Sequence, residues 1–160
     1  MKWAVTLVVA LVALATASAQ TNPCPMGYIN FSLDASTPVC LRFATEFKGT
    51  WDTMRFVCQS EKADLAKLEG QLHNQVYRYI QQHPDLQDEA FWIGGSDAQH
   101  EGYWVWVQDN TAMPMGTPHW YPCNGQPNGG TKMNYACLYT PDFYFHSCCN
   151  TYTIYAICQI

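Results

Sequence analysis

The chain has 160 residues, 48% of them hydrophobic, and sets eight lysines and arginines against thirteen aspartates and glutamates, a formal net charge of −5. With no basic run anywhere, that balance argues against nucleic acid and anionic membrane surfaces as partners. The length suits one domain able to bury roughly two-thirds of its unfolded surface.

Met1-Lys2-Trp3, an apolar stretch from Ala4 to Ala15 and an Ala17-Ser18-Ala19 exit have the form of an export signal over residues 1–19. The apolar run is too short to span a bilayer, so no membrane insertion is expected. The expected product is secreted and extracellular, a single domain over residues 20–160. All eight cysteines (24, 40, 58, 123, 137, 148, 149 and 158) fall in that part. An even number in an exported chain argues for disulfides, and no C-x2-C or H-x3-H spacing of a zinc site occurs.

From Tyr28 to Phe43, short apolar runs broken by Asp34-Ala35-Ser36-Thr37-Pro38 read as a hairpin. Thr50 is a plausible N-cap for a helix carrying Trp51, Met54 and Cys58, with Phe56 flanking, and Leu65 and Leu68 read as a short extended piece. Leu72, Val76, Tyr77 and Ile80 suggest a second helix, ended by His83-Pro84. Short strands follow at Phe91–Gly94, Tyr103–Val107, Tyr135–Tyr139, Phe143–Phe145 and Ile154–Ile157. Between Gln108 and Lys132 lies a long turn-rich stretch, of a length that usually means function or a disulfide-held excursion. The five histidines (73, 83, 100, 119 and 146) show no ligand spacing and read as surface or cap residues. Asn30-Phe31-Ser32 is an N-glycosylation sequon, with Asn30 the acceptor.

Cys24-Pro25-x-Gly27-Tyr28, the Trp51–Cys58 helix, Trp92-Ile93-Gly94-Gly95, Trp104-x-Trp106, Trp120, Gln126-Pro127-Asn128, Cys137 and Ile157-Cys158-Gln159 stand in an order and spacing that resembles the C-type lectin-like family. The resemblance implies an α+β fold of two helices, small antiparallel sheets and a long loop presenting the ligand site, stapled by disulfides. It puts Trp92, Trp104, Trp106 and Trp120 in the core. By the same resemblance Cys24 pairs with Cys40 and Cys58 with Cys158. Cys137 joins a cysteine near 149, leaving Cys123 and one of Cys148 or Cys149 for a further bridge. The preferred assignment is Cys137 with Cys149 and Cys123 with Cys148, the swapped one staying open.

In sugar-binding members the loop carries Glu-Pro-Asn or Gln-Pro-Asp, whose polar side chains hold calcium and sugar hydroxyls together. The proline there is commonly cis. Gln126-Pro127-Asn128 is a hybrid of the two forms, so mannose-type and galactose-type preference both stay open. The family's acid before Cys137 is replaced by Tyr135, with Asn134 one position away, and its Asn-Asp pair is missing from Tyr144-Phe145-His146. Gln126, Asn128, Asn134 and Asp142 are therefore the expected carbohydrate and calcium ligands. The competing reading is a scaffold triplet whose amides only hold the loop. Asp97 and Glu101 match an auxiliary calcium site, and Tyr121, Tyr139 and Tyr144 are candidates to stack on sugar rings.

The expected function is a secreted carbohydrate-binding lectin, calcium-dependent, recognising microbial or cell-surface glycans. The alternative is a calcium-independent lectin-like domain that binds protein, mineral or ice. No nucleophile elbow, zinc-protease motif or phosphate loop occurs, so no enzymatic activity is expected. A homo-oligomer would have to form through the domain's own surface, since no heptad segment is present.

Overall fold

The computed structural model describes residues 23–32 and 37–160. The expected export signal over 1–19, its junction at residue 20, and residues 34–36 of the expected turn lie outside them. Strand β1 (Ile29–Asn30) pairs antiparallel with β2 (Cys40–Gly49), Ile29 opposite Leu41, and the Cys24–Cys40 disulfide closes the hairpin.

Helix α1 (Trp51–Ser60) starts where Thr50, in extended backbone, accepts the Thr53 N–H at its side chain, satisfying one orphan donor of the first turn. Its buried residues, Trp51, Met54 and Cys58, fall three and four apart, so they share one face, while Phe56 is 71% exposed. The Trp51 indole N–H donates to the Ile93 carbonyl at 2.9 Å, and the Trp92 indole to the Gly49 carbonyl at 2.9 Å. Two large rings are thus buried with their polar atoms satisfied. Strand β3 (Asp64–Leu65) follows, then helix α2 (Gln71–Gln82), which buries Leu72, Val76 and Ile80. Tyr77 departs from expectation: it is exposed, and His73 occupies the buried face instead.

The remaining strands are β4 (Phe91–Ser96), β5 (Val105–Trp106), β6 (Thr111–Ala112), β7 (Tyr135–Tyr139), β8 (Tyr144–Cys148) and β9 (Ile154–Gln159). The sheet runs β1-β2-β9-β4-β5-β6, with β7 joined to β4 and β8 to β7. Antiparallel pairing prevails as expected, but β4 and β9 pair in parallel, Phe91 opposite Tyr155. All six residues of β4 are buried, as a strand covered on both faces must be. A β-carbon on Gly94 would sit 2.7 Å from the Leu65 carbonyl oxygen, so only glycine lets β4 pass β3 this closely. Trp92, Trp104, Trp106 and Trp120 are all buried, as the resemblance implied.

Cys58–Cys158 forms as expected and ties α1 to β9. The third bridge corrects the preferred assignment: Cys137 joins Cys148, and Cys123 and Cys149 carry free thiols. The register gives the reason. On β8, His146 lies opposite Cys137, so Cys148, two residues on, shares that face diagonally, whereas Cys149 follows the strand's end.

The histidine expectation is also corrected, for two of the five. His73 and His119 are buried, at 6% and 8% exposure, with their Nδ1 atoms 2.9 Å apart. His73 Nε2 lies 2.7 Å from the Phe143 carbonyl, which can only accept, so that nitrogen carries the proton. His73 Nδ1 must then accept, and His119 Nδ1–H donates to it. Each ring satisfies the other, and α2 is fastened to the long loop and to the residue preceding β8. Burial lowers both from the ordinary value, His73 to about 4. Among the described residues no helix is long and apolar enough to cross a membrane.

Candidate functional site

Strand β8 ends the sheet on one side, and the long loop folds back against it. Trp120 bridges in parallel to Phe145, and the Tyr121 N–H donates to the Phe145 carbonyl at 3.0 Å. Farther along, Ser147 on β8 meets the Gln126-Pro127-Asn128 triplet, whose Gln126-Pro127 bond is cis. Gln126 Oε1 accepts from the Ser147 N–H at 2.8 Å and lies 2.9 Å from its hydroxyl. The same hydroxyl accepts the Asn128 N–H at 2.8 Å and lies 2.7 Å from the Asn128 carbonyl. Asn128 Nδ2 donates to the Asn124 carbonyl. Ser147 thus clamps the triplet from the sheet side.

Gln126, Asn128 and Ser147 line a cleft of about 240 Å³ together with Met133, Tyr139, His146 and Tyr152. His146 is stacked on Tyr121 with ring centroids 4.8 Å apart and lies 5.7 Å from Tyr139, and Tyr144 lies 6.0 Å from Tyr121. Of the three tyrosines selected from the sequence, Tyr121 and Tyr139 therefore flank one histidine of the cleft, and Tyr144 lies against Tyr121. Burial lowers His146, and the Asp142 carboxylate partly offsets this.

Of the four expected ligands, Gln126 and Asn128 line this cleft and Asn134 and Asp142 do not. Asn134 sits apart from the triplet: its N–H donates to Asn150 Oδ1, its carbonyl accepts the Asp97 N–H, and its Oδ1 is buried without a partner. Asp142 is exposed in the turn between β7 and β8. The triplet's donor set is then neutral, and Gln126 Oε1 is already engaged by Ser147. Calcium affinity follows ligand charge and oxygen count, so these residues do not fit a calcium ion.

The auxiliary set fits better. Asp97 is 4% exposed; one carboxylate oxygen accepts the Gly102 N–H at 2.9 Å, and the other is buried without a partner. It thus shares with Asn134, to which its N–H is bonded, the want of a partner at a buried oxygen. Burial raises the Asp97 carboxyl above its ordinary range. Glu101, in the same turn, lies near Gly130, where an added β-carbon would be 3.8 Å from its carboxylate. Orphaned buried acceptors are what a hard cation satisfies. Even so, no group of three or more His, Cys, Asp and Glu among the described residues has metal-holding geometry.

Asn30 is exposed at the end of β1, its side-chain oxygen taking bonds from the Ser32 backbone and hydroxyl. Ser147, Tyr152 and Asn150 were not singled out from the sequence. Asn150 pins the Gly130–Lys132 turn through the Lys132 and Thr131 carbonyls. A serine, a tyrosine and an asparagine in unremarkable local sequence carry no motif, and only the pairing of β8 with the loop reveals them.

The family model for the Lectin C-type domain matches residues 48–160. Among curated proteins, the mouse (Mus musculus) low affinity immunoglobulin epsilon Fc receptor is 29% identical over 109 residues, 68% of this chain and 28% of that protein. The chain thus spans under a third of this relative's length. Among solved structures, the C-type lectin CEL-I from Cucumaria echinata aligns with a TM-score of 0.68 at 22% identity, over 86% of this chain and 97% of that one. A Ca2+-dependent type II antifreeze protein in its Ca2+-free form aligns at 0.67 and 21%, over 86% and 99%. At such identities the structural likeness is one of fold. The family match covers well over half the chain and carries both helices, the triplet and the last two disulfides: this chain belongs to the C-type lectin domain family, a family of carbohydrate-binding modules.

Proposed function

We propose that this chain is a secreted lectin that binds glycans at the cleft between the Gln126-Pro127-Asn128 triplet and β8. The observation that carries the reading is the Ser147 clamp, which holds the triplet's amides beside an exposed tyrosine wall. Amides and tyrosines match the alternating hydroxyl and apolar faces of a sugar ring, a few fixed polar groups setting orientation over an apolar wall. In this reading the amides bond sugar hydroxyls directly. Calcium binds at Asp97, Glu101 and Asn134, where it supplies charge compensation and fastens the turn after β4 to the start of β7. Asn30 is the glycosylation site.

Retention of the purified protein on mannose- and galactose-bearing resins, with millimolar calcium and again with chelator, tests this. Retention on one resin that weakens but survives chelation, and that Gln126→Ala removes, supports it. The second reading, a calcium-independent domain for protein, mineral or ice, is favoured by the neutral donor set at the triplet. No retention on either resin, with thermal stability indifferent to calcium, would put that reading first.

A further inference from the structure

The cleft at Gln126 does not end at its tyrosines. Tyr139 and Tyr152, 39% and 44% exposed, also line a second, larger cleft of about 440 Å³. The second cleft runs past Thr140, Thr151 and Thr153 to Lys48 at the end of β2 and to Asp88 and Glu89 ahead of β4. Size separates the two. At about 240 Å³, the first falls below the roughly 300–1,000 Å³ of a small-molecule site, whereas the pair taken as one groove falls inside it.

The chemistry of the second cleft is that of a polyol acceptor. Lys48 is held by Glu89 at 2.6 Å and lies over the Tyr155 ring at 4.8 Å, so its charge is engaged. Asp88 is exposed, and one carboxylate more than the cations lines the cleft. The Thr140 hydroxyl donates to the Gln87 carbonyl and keeps its lone pairs, and the exposed Thr151 and Thr153 add two further hydroxyls. Hydroxyls and a carboxylate suit an uncharged sugar, and the excess acid repels an anionic one.

We infer that Tyr139 and Tyr152 join two subsites of one groove, and that the ligand is an uncharged oligosaccharide of two or more linked units, its terminal sugar at Gln126 and Asn128. This rests on the lectin reading above. A tyrosine shared by both clefts presents a flat apolar body with a polar tip, suited to the linkage between two rings.

Titrations followed by NMR test the inference with four probes: methyl mannoside, methyl galactoside, the linear trisaccharide ending in whichever binds, and that trisaccharide ending in a uronic acid at its far end. The uncharged trisaccharide is expected to bind at least tenfold tighter than the monosaccharide, and the acidic one several-fold more weakly than the uncharged. Thr153→Arg, at an exposed position of the second cleft only, should erase the chain-length gain and leave monosaccharide affinity unchanged. Asp88→Lys should reverse the discrimination against the acidic probe. A trisaccharide no tighter than the monosaccharide, or a gain that survives Thr153→Arg, overturns the second subsite and leaves the lectin reading standing. Failure of every probe to bind ends both.

Discussion

His73 Nδ1 accepts a hydrogen bond from His119 Nδ1–H across 2.9 Å inside the core. Because His73 Nε2–H is committed to the Phe143 carbonyl, a proton added to His73 must displace the one that His119 points at it. His73 falls from its ordinary 6.5 to about 4 in the folded chain, chiefly through burial. Between those values the unfolded chain binds more protons, so stability rises with pH there. The contribution is fully present above pH 6.5 and is lost as pH falls toward and through 4. At about 1.4 kcal/mol per unit it amounts to roughly 3 kcal/mol. Urea unfolding at pH 7, 5.5 and 4.5 should show that decline. His73→Leu should be less stable at pH 7 yet flatter across the window; an unchanged slope would remove His73 as its source.

Removing the Ser147 hydroxyl takes a shared partner from Gln126 and Asn128. Ser147→Ala should cost about 1–3 kcal/mol in denaturant unfolding, the range for stranding partly buried polar groups. It should also reduce sugar retention more than that stability loss explains, since the Ser147 N–H alone then orients Gln126.

Alkylation without reductant should modify Cys123 and Cys149, and a non-reducing digest should link Cys137 to Cys148. Cys148→Ser is expected to lose about 3 kcal/mol, the chain-entropy value for a loop of this size. Cys149→Ser should leave the melting temperature near that of the parent. Recovery of a peptide joining Cys137 to Cys149 would restore the pairing first preferred from the sequence.

Calcium should raise the melting temperature in proportion to ln(1 + [Ca2+]/Kd). Asp97→Asn should abolish the rise, whereas Gln126→Ala should retain it. The opposite pattern would move the ion to the triplet.

Gly94→Ala drives a methyl to within 2.7 Å of the Leu65 carbonyl oxygen. Overpacking of this kind costs about 1–3 kcal/mol, and β3 and β4 must separate to absorb it. A melting temperature equal to the parent's would show that the strands have slack.

Much of this architecture was legible in the sequence because each signal is local. Thr50 before an apolar face, His83-Pro84 after one, and an order of tryptophans shared with a family all survive without knowledge of contacts. Pairing across long separations was not legible. Cys148 and Cys149 differ by one residue, and only the register placing His146 opposite Cys137 decides which of them faces the bridge. His73 read as a surface residue because a histidine beside a helical apolar stripe has no partner in its own window; its partner is 46 residues away. At the site, the triplet and the tyrosines were visible as motifs, whereas Ser147 and Tyr152 act through neighbours that the chain supplies only after folding. The expected joining of Asn134 and Asp142 to the triplet rested on the family position of an acid before Cys137 and on a particular folding of the loop. The turn held by Asn150 carries Asn134 toward Asp97 instead.

The Ile160 N–H donates to the Cys40 carbonyl, and Cys40 is bridged to Cys24, so both flanks of the described domain meet at the Cys40 end of β2. Lys48 and the proposed groove lie toward the other end of that strand, which a bulge shortens so that Leu41 to Gly49 spans only the β9 residues Gln159 to Ile154, roughly 17 Å at about 3.3 Å per residue. A dye, a bead or a sensor chip coupled through either flank would therefore hold every molecule in one orientation, groove outward. A surface so coated should capture its glycan with little of the blocked fraction that random lysine coupling through Lys48 would produce.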